Sequence, residues 1–342
     1  MHHLPPTEAR NPRSTGIDRL DALGVLRLIN AEDATVPAAV AAALPTLSRA
    51  VDAAVTALRT GRTVHYVGAG SSGRYATLDA AELPPTYGLA PDRIRVHLAG
   101  GPAALTRAAE DAEDSEEAGR AALAGAVAGD VVLGLAASGR TPYVAGALRA
   151  ARAAGAVTVL VSADPEAPLA DLADLHVCVE SGPEVITGST RMKAGTAQKL
   201  VLHGFSTAVM IRLGRTWSNL MTEVAAGNRK LAARTLTLLA QASGAGPEAC
   251  RAALAATDGD LKAALVVLLA DADPATARAA LASGGGTVRG ALDVLRPASV
   301  RCPGEVPAGA ADPLAASAPP APAAPGGAQA PIAAPSASPT RP

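Results

Sequence analysis

Three stretches of this chain place hydroxyl side chains, glycine and cations where a strand-like run turns into helix-forming sequence. The first is "VHYVGAGSSGRYATLDAAELPPTYG", residues 64–88, with Ser71, Ser72 and Arg74 set among its glycines. The second is "SGRTPYV", residues 138–144, in which Ser138, Gly139 and Arg140 repeat the tripeptide at 72–74 and Thr141 follows. The third is "GPEVITGSTRMKAGTAQKL", residues 182–200, with Glu184, Ser189, Thr190, Arg191, Lys193 and Thr196. A hydroxyl at a helix start either caps the free N–H groups there or binds an oxyanion together with them. For one loop alone neither reading prevails. Three such loops favour a phosphate-bearing small molecule held across the C-terminal edge of a sheet.

Gly68, Gly70 and Gly73 also spell G-x-G-x-x-G, the dinucleotide pattern. That reading needs an acid about 20 residues further on, at the end of the second strand. Here the second strand, "IRVHLAGG", ends in Ala99, Gly100 and Gly101, with no carboxylate. The Walker A pattern fails as well, because no G-K-[ST] follows.

Two carboxylates near these loops are candidates for acid/base chemistry. Glu82 is expected at the C-terminus of the helix after the first loop, with Pro84 and Pro85 ending that helix. The macrodipole disfavours negative charge there, so a carboxylate held against it suits acid catalysis. From spacing alone an ordinary surface glutamate is the plainer reading. Glu113 lies in "AAEDAEDSEEAG", and nothing in the sequence separates it from Glu110, Glu116 or Glu117. His65, His97 and His176 fall in apolar strand runs and read as core or edge residues; His203 stands mid-helix with no partner in view.

The elements that must position these groups are legible as alternation. Strands are expected at 63–67, 94–98, 130–136, 157–162 and 175–179, several of them continuous apolar runs of the kind buried on both faces of a parallel sheet. Helical sequence separates them, which gives an α/β class. Residues 15–59 read as helices, with a leading apolar stripe of Leu20, Leu23, Leu26 and Leu28, a closing one of Val51, Val55 and Leu58, and Gly61 as a C-cap. Residues 191–240 read as a long helix, and 246–295 as three or four short ones. Four segments follow: an N-terminal helical segment, 1–60; an α/β domain carrying the three loops, 61–240; a small helical bundle, 241–296; and a Pro/Ala-rich tail, 297–342, expected to be disordered.

Bulk properties narrow the function classes. The 342 residues are 49% hydrophobic and 2% aromatic, so the core is built from Ala, Val and Leu. A formal net charge of -1 gives no reason to expect nucleic acid as a partner. Cys178, Cys250 and Cys302 form no metal-ligand spacing, and three cysteines without a framework fit a reducing cytoplasm. The N-terminus "MHHLPPTEARNPRS" has no signal-like apolar region, and no uninterrupted apolar run reaches spanning length, so no membrane role is expected.

The motifs "TEARNPRSTGIDRLDALGVLRLINAEDATV", "GAGSSGRYATLDAAELPPTYG", "AASGRTPYV" and "GPEVITGSTRMKAGTAQKLVL" together resemble the N-acetylmuramic acid 6-phosphate etherase family, in order, from residue 7 to about residue 295. The resemblance implies a sugar isomerase (SIS) fold, a flavodoxin-like parallel sheet flanked by helices, with a ubiquitin-associated-like bundle near the C-terminus. It implies cleavage of a lactyl ether by elimination and hydration on the open-chain sugar, with no metal or organic cofactor. Family roles carry over to Glu82 as proton donor and Glu113 as the second active-site glutamate, 113 − 82 = 31 positions apart. Substrate contacts carry over to Ser71, Ser72, Ser138, Thr141, Ser189 and Thr190, with Glu184 a further candidate for a sugar hydroxyl. The family is dimeric, so a homodimer with sites built partly from both subunits is expected. Three positions depart from the family pattern: Leu83 where cysteine is common, Ser71 where threonine is common, and Asp111 where glycine is usual. The last puts an added negative charge two residues before Glu113. The competing expectations are a sugar-phosphate isomerase on the same fold and a non-catalytic sugar-phosphate sensor like the glucokinase regulatory protein.

Overall fold

A computed structural model describes residues 4–109, 111–223 and 229–295, and the side chains of 229–232 fall outside it. The chain divides into units 1–297 and 298–342. The tail expected to be disordered, and Glu110, lie outside the described residues.

Five parallel strands form the central sheet: β1 (Val64–Gly68), β2 (Ile94–Leu98), β3 (Val131–Leu135), β4 (Val157–Ser162) and β5 (Leu175–Cys178), in the order β2-β1-β3-β4-β5. This is the flavodoxin-like order, in which ligands gather at the C-terminal strand ends. The strand positions match the apolar runs closely because β1 and β3 are buried at every residue. A strand covered on both faces has no polar alternation to blur it.

One face of the sheet is covered by α2 (Val36–Arg59), α3 (Gly70–Tyr87) and α6 (Lys193–Arg212), through Leu47, Val51, Leu83, Val201 and Phe205. The other is covered by α4 (Glu116–Ala122), the region just after it, and α5 (Pro142–Ala153), through Leu123, Tyr143, Val144 and Leu148. Preceding them, α1 (Ala22–Asp33) buries only Glu32. Its apolar stripe is not a core stripe: Leu20, Leu23 and Leu26 are 45%, 52% and 63% exposed. Residues 22–59 are also long and apolar enough to cross a membrane by composition. The α2 half of that stretch packs into the sheet core instead.

The long helix expected over 191–240 is interrupted. After Arg212 the chain turns at Gly214 (φ +73°) into a hairpin, β6 (Thr216–Trp217) and β7 (Leu220–Met221), before α7 (Arg229–Ser243). Arginine in the last turn followed by a left-handed glycine is a helix stop, and the apolar periodicity on either side concealed it. Beyond lie α8 (Pro247–Ala256), α9 (Leu261–Ala270), α10 (Pro274–Ser283) and α11 (Val288–Leu295), packed around Leu265, Val266, Ala277 and Val288. The Arg289 guanidinium sits 5.3 Å from the Trp217 ring centre and joins α11 to the hairpin.

The strand histidines are packed, as their setting implied. His65 Nδ1 lies 2.9 Å from His97 Nε2, and His65 Nε2 lies 3.4 Å from Asp130 Oδ2. Burial lowers the pKa of His65, opposed by Asp130 and reinforced by Arg95. Burial, then His65 and Arg95, push His97 down to about 4. Both rings therefore bind protons more readily in the unfolded chain, near the ordinary value of about 6.5. Their stabilising effect is complete above that pH and is lost as pH falls toward about 4. The melting temperature is expected to drop between about pH 7 and about pH 5, and to drop less in His97→Gln, as differential scanning fluorimetry across that range will show.

Candidate functional site

All three hydroxyl loops emerge at the C-terminal ends of the strands. Ser71 and Ser72, half-buried, form the first turn of α3 after Ala69. Ser138 and Thr141 precede α5, and Ser189 and Thr190 precede α6. None of these helices has a capping bond from its N-cap side chain: the N-cap residues are Ala69, Thr141 and Met192. Four other helices do carry one, while α2 and α8 do not. Asp21, Ser115, Asp260 and Asp273 each accept backbone N–H groups at the starts of α1, α4, α9 and α10. N-cap side-chain bonds thus do not account for the hydroxyls of these loops.

The two SGR tripeptides do different work. The Arg74 guanidinium donates to the carbonyls of Ala104 and Leu105 (3.0 and 3.2 Å) and of Arg107 (3.0 Å), bracing the segment after β2. Arg140 instead pairs with buried Asp164 at 3.5 Å and stays partly exposed. Gly73 is required by packing: a Cβ there would lie 2.4 Å from Leu98 Cδ1 and 2.6 Å from the Gly68 carbonyl oxygen. The glycine pattern that mimics a dinucleotide loop serves close strand–helix contact here.

Glu184 is fully buried, and its two oxygens accept the backbone N–H groups of Lys193 (2.9 Å) and Ala194 (3.0 Å). Burial raises its pKa, against the pull of those bonds and of the Lys193 charge. Its placement is that of a cap on α6, with each oxygen already engaged.

The structure separates Glu113 from Glu116 and Glu117, which spacing could not do. Glu116 pairs with Arg120 and Arg149, and Glu117 with Arg120. Glu113 is exposed and lines a cavity of about 190 Å³ with Ala69, Gly70, Arg74, Ala99 and Ala104, against the first loop. Its carbonyl accepts the Tyr143 N–H at 2.9 Å, tying it to the start of α5. Asp111 adopts φ +63°, the left-handed region. That explains the glycine expected at this position better than charge does, because aspartate tolerates the conformation and β-branched residues do not. Asp111→Gly is expected to be nearly neutral, strain relief offsetting chain entropy, whereas Asp111→Val should cost about 1–2 kcal/mol. Urea unfolding of the two variants measures the difference.

Glu82 is not at a helix end. α3 continues through Pro84 and Pro85 to Tyr87 and stops at Gly88 (φ +61°), whose N–H donates to the Pro84 carbonyl. Burial of Leu83 at 3% exposure outweighs the pre-proline bias against helix. Glu82 is exposed in the body of the helix. Eleven residues at about 1.5 Å each put it about 16 Å along the axis from Ser71. One chain does not bring Glu82 to the cavity beside Glu113. One turn earlier, buried Asp79 accepts from the Tyr66 hydroxyl (3.1 Å) and the Ser206 hydroxyl (2.9 Å). That network fastens α3 to β1 and α6, and sequence reading had not singled it out.

A protein named N-acetylmuramic acid 6-phosphate etherase from Thermobifida fusca (strain YX) is 58% identical over 275 residues, 79% of this chain and 90% of that protein. This chain belongs to the N-acetylmuramic acid 6-phosphate etherase family. An etherase of the same name from Streptomyces avermitilis is 50% identical over 265 residues, 77% of this chain and 85% of that protein. Residues 46–152 of this chain match the glucokinase regulatory protein N-terminal SIS domain, and residues 105–208 match the SIS domain. Among solved structures, a phosphoheptose isomerase from Francisella tularensis is similar at 18% identity and a TM-score of 0.42, covering 55% of this chain and 98% of that one. That likeness is too distant to carry an argument.

Proposed function

We propose that the chain cleaves the D-lactyl ether of N-acetylmuramic acid 6-phosphate, giving N-acetylglucosamine 6-phosphate and D-lactate in cytoplasmic amino sugar recycling. The reading rests above all on 58% identity to a named etherase across nearly that protein's whole length. The three hydroxyl loops at one sheet edge, none capped by its N-cap side chain, support a phosphate and sugar grip there.

In this reading the residues take the roles that the family resemblance implies. In the open-chain sugar the C1 aldehyde acidifies C2, so a carboxylate can take the C2 proton. The C3–O bond then breaks, and lactate leaves with the electron pair and receives a proton from an acid. Water adds across the C2–C3 double bond, with its hydroxyl on C3 and a proton returned to C2. Glu82 is the proton donor to lactate and Glu113 the second acid/base group. Ser71, Ser72, Ser138, Thr141, Ser189 and Thr190 hold the phosphate and sugar, using oxyanion binding at helix starts. Glu184 acts on this site through α6.

Glu113 lines the cavity while Glu82 lies about 16 Å along α3 from Ser71, so in this reading the enzyme is a homodimer, with Glu82 of the partner subunit completing each site. Exposed Leu78, one turn before Glu82, and the exposed leucines of α1 supply apolar surface for pairing. Turnover in isotopically labelled water tests the reaction class. Elimination and hydration put solvent oxygen on C3 and solvent hydrogen at C2, while direct cleavage at the lactyl carbon would put the oxygen on lactate. The match to the regulatory-protein domain favours a sensor as the second reading; a sensor binds sugar phosphate and incorporates neither label.

A further inference from the structure

The third hydroxyl loop is held from outside the sheet. The Asn11 amide donates to the Pro183 carbonyl (3.3 Å), and the Ser14 hydroxyl donates to the Val185 carbonyl (2.7 Å). The Gly188 N–H donates to the Thr7 carbonyl (3.3 Å). Thr7, Asn11 and Ser14 are all buried, despite lying near the chain's start. Beneath them sits Glu32 of α1, 1% exposed. Its carboxylate receives Lys193 Nζ (2.8 Å), Asn11 Nδ2 (2.9 Å) and Arg13 Nε (2.7 Å). Lys193, at the first position of α6, is equally buried.

A buried ion pair is a poor way to gain stability, because desolvation offsets most of the attraction and an apolar pair of similar shape serves as well. Directed bonds on both oxygens do something an apolar patch cannot: they set one register. Ser189 and Thr190 lie between Gly188, bonded to the N-terminal segment, and Lys193, bonded to Glu32 and Glu184. Residues 189–192 are thus bounded on both sides by this one cluster.

We propose that Glu32 and Lys193 are positioning residues: with Asn11 and Ser14 they form a clasp that holds Ser189 and Thr190 in phosphate-binding register. The proposal rests on the phosphate grip described above. It makes the N-terminal segment part of substrate affinity without touching substrate.

Glu32→Gln and the double variant Glu32→Met/Lys193→Met test it in the full-length protein. The double variant removes both charges of the buried pair, and Arg13, the remaining partner of Glu32, is exposed, so it decides the matter if Glu32→Gln does not fold. Two readouts are needed. In steady-state turnover of N-acetylmuramic acid 6-phosphate, KM should rise at least roughly tenfold with kcat within about threefold, the pattern of lost uniform binding. In hydrogen exchange without ligand, amides of 186–192 should exchange at least roughly tenfold faster while those of β3 keep their protection. A folded double variant with wild-type KM and wild-type exchange overturns the clasp. If the wild type turns over no substrate, the functional reading fails on its own, and exchange still decides whether the cluster holds the loop.

Discussion

Mixing Glu82→Gln subunits with Glu113→Gln subunits should restore about a quarter of wild-type turnover, although each variant alone is expected to lose about 10²–10⁴-fold. The reason is geometric. Glu113 lines the cavity beside the first loop, while Glu82 is about 16 Å along α3 from Ser71. If each site takes Glu113 from one subunit and Glu82 from the other, a mixed dimer has one intact site and one doubly damaged site. Random exchange makes about half the dimers mixed, hence about a quarter of the sites active. The measurement is lactate release after the two variants are unfolded and refolded together, against each refolded alone. No recovery on mixing would place both glutamates in one subunit and contradict the shared site.

Gly146→Ala is the second large effect. α4 and α5 cross at facing glycines. A Cβ on Gly146 would lie 1.9 Å from the Glu116 carbonyl oxygen, and one on Gly119 would lie 1.9 Å from the Tyr143 carbonyl oxygen. Both obstacles are backbone, so no side chain can swing away. Overpacking of this kind costs about 3 kcal/mol, which at an unfolding entropy of about 2.1 cal/mol/K per residue lowers the melting temperature of a chain of this size by about 4–5 °C. Activity should fall too, because this crossing carries Glu113, through Tyr143, and Thr141. Gly125→Ala is the control: nothing lies within 4 Å of its Cβ position, so its melting temperature should match wild type. A Gly146→Ala protein as stable as the control would mean the helices separate at little cost.

The sheet was legible in the sequence because its central strands are buried on both faces and read as uninterrupted apolar runs. The hydroxyl loops were legible because their residue types recur at strand ends. Three things were not. The continuation of α3 past Pro84 depends on Leu83 packing into the core, a tertiary effect that overrides local proline signals. The break after Arg212 was masked by apolar sequence on both sides, although Gly214 marked it. The division of labour among charges was invisible to spacing: Arg74 braces carbonyls, Arg140 pairs with Asp164, and Glu116 binds Arg149 while Glu113 faces a cavity. Asp111 shows how a departure read as a charge effect has a backbone meaning once φ is known.

The most direct test of the central claim is D-lactate release from N-acetylmuramic acid 6-phosphate by the purified wild-type protein, with the unphosphorylated sugar alongside. The account predicts lactate and N-acetylglucosamine 6-phosphate in equal amounts from the phosphorylated ether, and little from the unphosphorylated one. Binding of the sugar phosphate with no lactate released would contradict it and leave a sensor or an isomerase on this fold.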